Sequence, residues 1–203
     1  MRKMFMLDRS IPFYSTILRY DDYNIQPVKL PEGYAIVSYQ PGYEDDWARL
    51  EYEVGDFDSQ KEAKQYFIST YLNHSKTDQI LFLINSRRQV IGSCIAWKDV
   101  QHENMVNSLH WLIVDETYQG KGLGRALCRA AMNLFFLNDQ KPIYIHTQPW
   151  SYRAIFLYLS LGFRLQKHDT FGSYTNQYEE AMGTLKNILT EEQYQKLVAL
   201  STD

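Results

Sequence analysis

YQGKGLGRAL, residues 118–127, places glycines at positions 120, 122 and 124 at the start of a helical pattern. Glycine at a helix start costs backbone entropy, so this run indicates that the backbone must approach another group closely or that its N–H groups must stay unpaired. The strand-like segment NSLHWLIV (107–114) lies just before it. Unpaired N–H groups and the positive end of the helix dipole meet at such a helix start. The segment therefore predicts a site for an anionic group such as a phosphate.

Three phosphate-binding patterns compete for this loop. A P-loop needs Ser or Thr after its Gly-Lys pair, but Gly122 follows Lys121 here. A dinucleotide fingerprint needs GxGxxG, but an arginine or a leucine occupies the position of its third glycine. The third pattern, Q/R-x-x-G-x-G/A, is matched by Gln119, Gly122 and Gly124. A glycine-rich helix start with no ligand is the remaining alternative.

A second motif follows after one more predicted strand. Residues 154–163, AIFLYLSLGF, match the pattern AxxxYxxxGF, with Ala154, Tyr158 and Gly162-Phe163 at its fixed positions. With both motifs at this spacing, the chain resembles the GNAT superfamily of acyl-CoA N-acyltransferases over roughly residues 34–171. The resemblance implies that the glycine loop holds the pyrophosphate of acetyl-CoA. It also implies that the strand at 107–114 lies along the pantetheine arm.

The hydrophobic pattern predicts an α/β fold whose elements run β-α-α-β-β-β-α-β-α-β. The predicted strands are 34–40, 79–85, 89–97, 107–114, 142–147 and 163–171. The predicted helices are 45–54, 60–72, a helix that begins at the glycine loop and runs to about residue 138, and 151–161. The strands on either side of the turn at 86–88 are expected to be antiparallel. The resemblance implies a central mixed, mostly antiparallel twisted sheet flanked by helices, with a splayed strand pair that binds acyl-CoA.

Three ranges are predicted along the chain. They are an N-terminal extension at 1–33 with a strand-like piece at 13–20, a GNAT-like acetyltransferase domain at 34–172, and a C-terminal helical tail at 173–203. The tail carries two short helical patterns, the second opened by a Thr190 cap. It could cover the domain's own face or that of a partner, so a homodimer is one of the assemblies to expect.

Composition argues against several classes of partner. With 203 residues and a net charge of −3, the chain is expected to bind neither nucleic acid nor an anionic membrane. No run approaches the roughly 20 apolar residues of a membrane span. The 2 cysteines lack metal-ligand spacing, so no metal site is predicted. A reduced, cytoplasmic location is expected.

The resemblance implies transfer of an acetyl group from acetyl-CoA to an amine on a small molecule or a peptide, by direct attack in a ternary complex. Such a reaction needs a base for the ammonium group, a donor for the oxyanion and an acid for the departing thiolate. Tyr158, four residues before Gly162-Phe163, matches the position of the family's acid, and a phenol is protonated at neutral pH and can donate its proton. A tyrosine that shares a helix face with Ala154 and Leu161 also suits a core.

The residues predicted to contact acetyl-CoA lie on the strand, the loop and the second helix: Leu112, Ile113, Val114, Gln119, Gly120, Lys121, Gly122, Leu123, Gly124, Arg125, Ser151 and Tyr158. By resemblance, the backbone N–H groups near Ile113 and Val114 donate to the oxyanion. Lys121 or Arg125 is expected to meet a phosphate, or else to face solvent. The family often has Asn where Ser151 stands. Serine can cap the helix as Asn does. Ser151 is predicted as a contact by its position at the helix start, since the direct contact of an Asn side chain does not transfer to serine.

The base is assigned to His110, because imidazole titrates near neutral pH. Strict strand alternation would place His110 on one face with Leu112 and Val114. A hydrogen-bonded core histidine is the alternative role for this residue. The other candidates for the base are a relaying water, Glu51, Glu53 and His146.

The aromatic content, 16 Tyr, 10 Phe and 4 Trp, suits either a large core or an aromatic pocket. The side chains that could line an acceptor pocket are Trp97, Trp111, Trp150, Tyr152 and Phe171. Two rival functions stay open. One is a catalytically degenerate acyl-CoA-binding or sensory module of the same fold, and the other is a nucleotide enzyme that uses the same loop.

Overall fold

The computed structural model of the protein describes residues 8, 10–74, 77–136 and 142–203. Its strands are β1 (Thr16–Tyr20), β2 (Tyr34–Ser38), β3 (Ile80–Asn85), β4 (Val90–Gln101), β5 (Asn104–Val114), β6 (Ile143–Thr147), β7 (Arg164–Gln166) and β8 (Ser201–Thr202). Its α-helices are α1 (Tyr43–Val54), α2 (Gln60–Phe67), α3 (Leu123–Phe136), α4 (Tyr152–Leu161), α5 (Tyr178–Ile188) and α6 (Glu191–Ala199). Among these described residues, none of the helices is long and apolar enough to cross a membrane. The start of the predicted extension and the predicted helix end near 138 lie outside the described residues.

The strands form one sheet with the order β2-β3-β4-β5-β6-β1-β7-β8. The pairs β2–β3, β3–β4, β1–β6 and β1–β7 are antiparallel, whereas β5–β6 and β7–β8 are parallel. The antiparallel pairing of β3 with β4 confirms the predicted hairpin around residues 86–88. The arrangement confirms the predicted fold class, a mixed and mostly antiparallel sheet flanked by helices.

Contacts between residues divide the chain into two units. Unit 1 comprises the described residues of 25–97 and 109–138, and unit 2 comprises those of 8–24, 98–108 and 139–203. Strands β4 and β5 contribute residues to both units.

The core of unit 1 is aromatic. Trp47 of α1 is fully buried. Its ring centroid lies 4.8 Å from that of Phe67, 5.3 Å from that of Trp111 and 5.8 Å from that of Phe57. Rings that meet edge-on or tilted at such distances stabilise a core beyond the area they bury. In this unit, aromatic residues therefore serve core packing.

Helix α2 begins where the sequence predicts. Ser59 Oγ accepts a hydrogen bond of 3.2 Å from the backbone N–H of Glu62. The hydrogen bonding of the predicted helix then changes, because a π-helical turn runs from Ile68 to Leu72. A π turn inserts one extra residue and so rotates the side chains that follow it. Tyr71 lies in this turn and points into the core, where it is 1% exposed.

In unit 2, strand β1 is paired on both sides, with β6 and with β7. Leu18 is fully buried and lies opposite Ile145 on one side and Leu165 on the other. The strand-like piece predicted at 13–20 is thus an interior strand of this unit.

The predicted strand 163–171 is wrong over its second half, because β7 ends at Gln166. Asp169 lies in the segment that follows. Its carboxylate accepts side-chain hydrogen bonds of 2.8 Å from Arg19, Tyr144 and Gln101. Because these bonds come from three different parts of unit 2, they hold the segment in a non-strand conformation.

The two predicted tail helices are α5 and α6, both in unit 2. Thr190 caps α6 as predicted, since its hydroxyl accepts from Gln193 N–H and the Gln193 side chain accepts from Thr190 N–H. Leu185 and Leu197 are fully buried, and β8 pairs with β7. The tail therefore takes part in the packing of unit 2. The ranges 1–33, 34–172 and 173–203 stay predictions.

Glu51 is an unusual core residue of unit 1. It lies on the inner face of α1, is 2% exposed, and its Oε1 makes no hydrogen bond to the described residues. Burial, and then the nearby Asp56 carboxylate, raise the pKa of Glu51 well above its usual value. The folded protein therefore favours the neutral carboxylic acid at this position.

We expect the free energy of unfolding to fall as the pH rises above the unfolded-state pKa of Glu51, because folding must then return a proton to the buried carboxyl. The slope for one proton is about 1.4 kcal/mol per pH unit, up to the raised pKa of the folded state. Glu51→Gln should remove this slope and make the protein more stable than the wild type near pH 8. Urea unfolding near pH 5 and near pH 8 measures the effect.

Glu53→Gln is the matched control, because Glu53 lies on the same helix and its side chain is 45% exposed. This variant should keep the wild-type pH dependence. If the free energy of unfolding changed with pH in the same way in the wild type and in Glu51→Gln, Glu51 would not be a buried neutral carboxyl.

Candidate functional site

The glycine loop belongs to unit 1 and connects β5 to α3. Asp115 Oδ1 accepts from Thr117 N–H at 2.9 Å and opens a short 3-10 turn. Gly120 and Gly122 then have φ values of +78° and +77°. Side chains with a Cβ rarely adopt this left-handed conformation, so the backbone path requires glycine at both positions. Helix α3 begins directly after the second of them, at Leu123.

The start of α3 is open and free of acidic side chains. A Cβ atom on Gly120 or Gly122 would meet no protein atom within 4 Å. The first turn of α3 contains no acidic residue, whereas that of α1 contains Glu44, Asp45 and Asp46. Acidic residues in the first turn compensate the positive end of a helix dipole. The N-terminus of α3 lacks this compensation and is therefore suited to an anion.

Two polar side chains of the loop have contacts within the protein. Gln119 Nε2 donates to the carbonyl oxygen of Val114 at 2.9 Å and so ties the loop to the end of β5. Lys121 Nζ donates to Tyr34 Oη at 3.2 Å and lies 5.1 Å from the centroid of the Tyr118 ring. Leu123 is buried. Gln119 therefore holds the loop in place, and Lys121 lies beside two tyrosine rings.

Strand β5 is irregular at Trp111, whose φ is +50°. His110 Nδ1 lies 2.8 Å from Tyr71 Oη, and Trp111 Nε1 donates to the same oxygen at 2.7 Å. In a regular strand, neighbouring side chains point to opposite faces. Because these two neighbours reach one atom, the strict alternation predicted for His110, Leu112 and Val114 is wrong.

Gly92 of β4 shows how closely the irregular part of β5 approaches. A Cβ at Gly92 would lie 2.6 Å from the carbonyl oxygen of Ile113. On either side of this point, Ser93 Oγ donates to Trp111 O at 3.3 Å and Asp115 N–H donates to Ile91 O at 2.8 Å. Glycine inside a strand often marks a bulge or a close backbone approach. The glycine in VIGSCIAW is thus a sequence signal that could have indicated the irregularity.

Ser151 and Tyr158 belong to unit 2. Tyr158 lies on α4, is 6% exposed, and its ring packs edge-on 6.1 Å from that of Phe163. Ser151 is at the N-cap position of α4 but makes no capping hydrogen bond there. Its Oγ accepts instead from Gln148 Nε2 at 3.0 Å. Ser151 therefore does not use the capping ability that serine has in common with Asn. Helix α4 is instead preceded by a 3-10 turn that begins at Pro149.

The other residues considered for the base make contacts that differ from those of His110. Glu51 is enclosed in the core, and Glu53 pairs with Arg49 on an exposed helix face at 3.1 Å. His146 belongs to unit 2 and stacks on Tyr174, with ring centroids 3.9 Å apart. No cluster of three His, Cys, Asp or Glu side chains suited to a metal ion occurs within the described residues.

The aromatic residues predicted for an acceptor pocket have different surroundings. Trp97 and Trp111 are half-buried in unit 1, and both contact Tyr71. Phe171 is 1% exposed and belongs to the core of unit 2. Trp150 packs against Phe13, with ring centroids 5.3 Å apart, and Tyr152 is half-buried at the start of α4.

Tyr71 is the residue that sequence analysis missed. Helical periodicity alone gives no reason to select it from a chain with 16 tyrosines. Its hydroxyl contacts both His110 and Trp111 only because the π-helical turn and the irregular strand direct their side chains toward one another.

The comparisons with known proteins agree with this architecture. The profile of the acetyltransferase (GNAT) family matches residues 39–163, more than half of the chain. The chain therefore belongs to the acetyltransferase (GNAT) family, as its two motifs predicted. No curated protein matches it.

Solved structures share the fold at low sequence identity. A GCN5-related N-acetyltransferase from Sphaerobacter thermophilus aligns with a TM-score of 0.56 and 15% identity, over 74% of this chain and 48% of that one. The chain thus spans about half the length of that protein. A GNAT-family acetyltransferase from Staphylococcus aureus aligns with a TM-score of 0.52 and 17% identity, over 64% and 83% of the two chains. The NatC complex bound to Gag peptide and CoA contains a chain that aligns with a TM-score of 0.52 and 14% identity, over 64% and 84%.

Two glycines with positive φ allow backbone strain to be separated from steric clash. Gly122→Ala should lower the free energy of unfolding by about 1–2 kcal/mol, because alanine is strained at positive φ. Gly162→Ala should cost more, since its φ is +113° and its Cβ would also lie 2.6 Å from the Tyr20 ring. Urea unfolding of both variants tests the difference. An equal or larger loss of unfolding free energy for Gly122→Ala would mean that a Cβ at Gly122 meets protein atoms.

Proposed function

We propose that the protein is an acetyl-CoA-dependent N-acetyltransferase that transfers the acetyl group directly to an amine. The main observation in support of this proposal is the N-terminus of α3. Its first turn contains no acidic residue, and it follows two glycines with positive φ around which there is open space. This arrangement suits the pyrophosphate of CoA, because bare N–H groups and an uncompensated helix dipole both favour an anion. Membership of the acetyltransferase family supports the same assignment.

The loop and strand β5 would hold the cofactor. Backbone N–H groups from Gly120 to Gly124 would bind the pyrophosphate, and Gln119 would keep the loop in place through its bond to Val114. Lys121 and Arg125 are the cations nearest to this loop in sequence. The N–H groups of Ile113 and Val114 would donate to the oxyanion, and Leu112 would lie along the pantetheine arm.

His110 and Tyr158 would move the protons. When acetyl-CoA is bound, its thioester supplies the activated acetyl group. His110 would accept the proton of the acceptor ammonium group, either directly or through water, and Tyr158 would protonate the departing thiolate. Edge-on packing against Phe163 limits the orientations open to the Tyr158 ring.

The two cysteines support direct transfer. Cys94 and Cys128 are both buried. A hydrogen bond with Cys94, together with burial, raises the pKa of the Cys128 thiol well above its usual value. A buried thiol that resists ionisation is a poor nucleophile. An acetyl-cysteine intermediate is therefore disfavoured at Cys128 by the raised pKa of its thiol and at Cys94 by burial.

The acceptor would be an amine on a small molecule or a peptide. The NatC complex, which shares the fold, is bound to a Gag peptide and CoA. This relative supports a peptide amine as one acceptor class. A cytoplasmic location and a homodimer complete the proposal.

The first experiment is calorimetric titration of the full chain with acetyl-CoA, with CoA and magnesium-ATP as comparators. We expect acetyl-CoA to bind and Gly122→Asp to weaken binding at least tenfold, because a carboxylate would then occupy the anion site. The new Cβ meets no protein atom within 4 Å, so no steric clash with the protein contributes to the loss. Gly42→Asp is the matched control, since Gly42 also has positive φ, opens a helix and has no atom within 4 Å of a Cβ.

Each outcome of the titration is informative. Equal acetyl-CoA affinity for the wild type and both variants would place the ligand elsewhere. Binding of magnesium-ATP without CoA binding would favour a nucleotide enzyme, and no binding of any acyl-CoA by the folded protein would overturn the proposal.

Tyr158→Phe tests the acid. With an amine that supports thiol release, the variant should lower kcat by about 10²–10⁴-fold and leave acetyl-CoA affinity unchanged. Tyr20→Phe is the matched control, because the Tyr20 ring also packs on Phe163, at 5.5 Å, and the change also removes one hydroxyl. Equal kcat values for both variants would assign Tyr158 to packing. Acetyl-CoA binding without thiol release for any amine would favour a binding or sensory module.

A further inference from the structure

An open cavity of about 470 Å³ lies beside helix α2 and the π-helical turn that follows it, within unit 1. Phe57, Tyr66 and Ile68 supply its apolar surface, and Glu62 and Gln65 are among its polar residues. Small-molecule sites in proteins commonly have volumes of about 300–1,000 Å³, with apolar walls and a few polar groups. The cavity therefore has the size and the kind of lining that suit a small organic ligand.

The aromatic wall of the cavity is part of a packed group of rings. The ring centroids of Phe57 and Tyr66 lie 5.4 Å apart, and each lies 5.6 Å from that of Trp111. All three residues are half-buried. The fully buried Trp47 packs against all three, at centroid distances of 5.8, 6.4 and 5.3 Å. Because each ring is held by its neighbours, the wall needs little ordering when a ligand binds.

The same group of rings connects the cavity with strand β5. Trp111 follows His110 directly in the chain. Its indole nitrogen donates to Tyr71 Oη at 2.7 Å, and the same oxygen lies 2.8 Å from His110 Nδ1. The ring that packs on Phe57 and Tyr66 thus contacts a hydroxyl that also contacts the proposed base. This continuity associates the cavity with the acceptor of the proposed reaction.

The charge of the lining favours a cation. Glu62, in the first turn of α2, is exposed at the cavity. No lysine, arginine or histidine is found among the described residues that line it. Lys64 of the same helix bonds instead to Asp45, at 2.7 Å. Because aromatic faces also attract cations, a positively charged ligand matches this cavity better than an anionic one.

We propose that the cavity binds the apolar part of a cationic amine acceptor. An aromatic or branched aliphatic group would lie against Phe57, Tyr66 and Ile68, and Glu62 would attract the positive charge. The inference rests on the proposed function, in which an amine is the acceptor. It narrows the acceptor class from amines in general to amphipathic amines. A small hydrophilic amine would leave the aromatic wall in contact with water and would gain little from binding there.

Calorimetric titration of the full chain at pH 7, with and without saturating CoA, tests the inference without any turnover. The probes are 2-phenylethylamine, ethanolamine, which lacks the phenyl group, and 2-phenylethanol, which lacks the ammonium group. We expect 2-phenylethylamine to bind at least about tenfold more tightly than ethanolamine, because its phenyl group leaves water. It should bind about two- to fivefold more tightly than 2-phenylethanol, since one exposed carboxylate adds a modest attraction.

Two results of this titration would overturn the inference. One is equal affinity for 2-phenylethylamine and ethanolamine, and the other is no binding of 2-phenylethylamine by the folded chain under either condition.

A cavity-filling substitution locates the bound probe. Ser69 lines the cavity and is exposed, so Ser69→Trp should occupy the cavity and leave the core rings in place. This variant should weaken 2-phenylethylamine binding at least about tenfold. Gln60→Trp is the matched control, because Gln60 is exposed on α2 and does not line the cavity. Wild-type affinity in Ser69→Trp, or an equal loss in both variants, would place the probe elsewhere and overturn the inference.

Glu62→Gln tests the charge. The variant should bring the affinities for 2-phenylethylamine and 2-phenylethanol to within about twofold of each other. Glu180→Gln is the matched control. Like Glu62, Glu180 is the exposed third residue of a helix, but it does not line the cavity. This variant should keep the wild-type preference. An unchanged preference in Glu62→Gln would overturn the assignment of the charge to Glu62.

Kinetics separates this inference from the proposed function. With acetyl-CoA, 2-phenylethylamine should show a lower KM than ethanolamine, and Ser69→Trp should raise that KM at least about tenfold without changing the KM for acetyl-CoA. Equal kcat/KM values for the two amines would overturn the inference and leave the transferase assignment intact. If no amine supports thiol release, the proposed function fails, and the titrations still decide whether the cavity binds amphipathic amines.

Discussion

The bend of β5 at Trp111 is the constraint on which the arrangement of unit 1 depends. A regular strand would send His110 and Trp111 to opposite faces, whereas here both meet Tyr71 Oη. The bend is held by close contact with β4, where only glycine fits at position 92 under the Ile113 carbonyl. Strain at one residue is thus offset by hydrogen bonds and by aromatic packing around it.

The glycine loop also depends on a left-handed backbone conformation, which residues with a Cβ rarely adopt. Left-handed φ at Gly120 and Gly122 turns the chain into α3, and a Cβ at either glycine would meet no protein atom within 4 Å. Helix α1 fills its first turn with acidic residues, and α3 has none. The difference leaves one helix start in unit 1 electrostatically open, and this openness gives the proposed cofactor site its physical basis.

Local sequence patterns predicted much of the fold and the glycine loop. The loop motif at Gln119, Gly122 and Gly124 and the motif AxxxYxxxGF at 154–163 together predicted the family, which the match over residues 39–163 confirms. The caps at Ser59 and Thr190 were also predictable, because a cap is set by residues within one turn of each other. The hairpin of β3 and β4 follows from two apolar runs around a short turn.

Tertiary structure decided the features that need partners distant in sequence. Asp169 ends β7 early because Arg19, Gln101 and Tyr144 converge on its carboxylate. Tyr71 and His110 are 39 residues apart, and no local pattern pairs them. By itself, the sequence determined the family, the order of helices and strands, and the glycine loop, since these depend on short-range periodicity and backbone preference. Only the folded chain decided which hydroxyl meets His110, because that contact requires a bent strand and a π turn to converge.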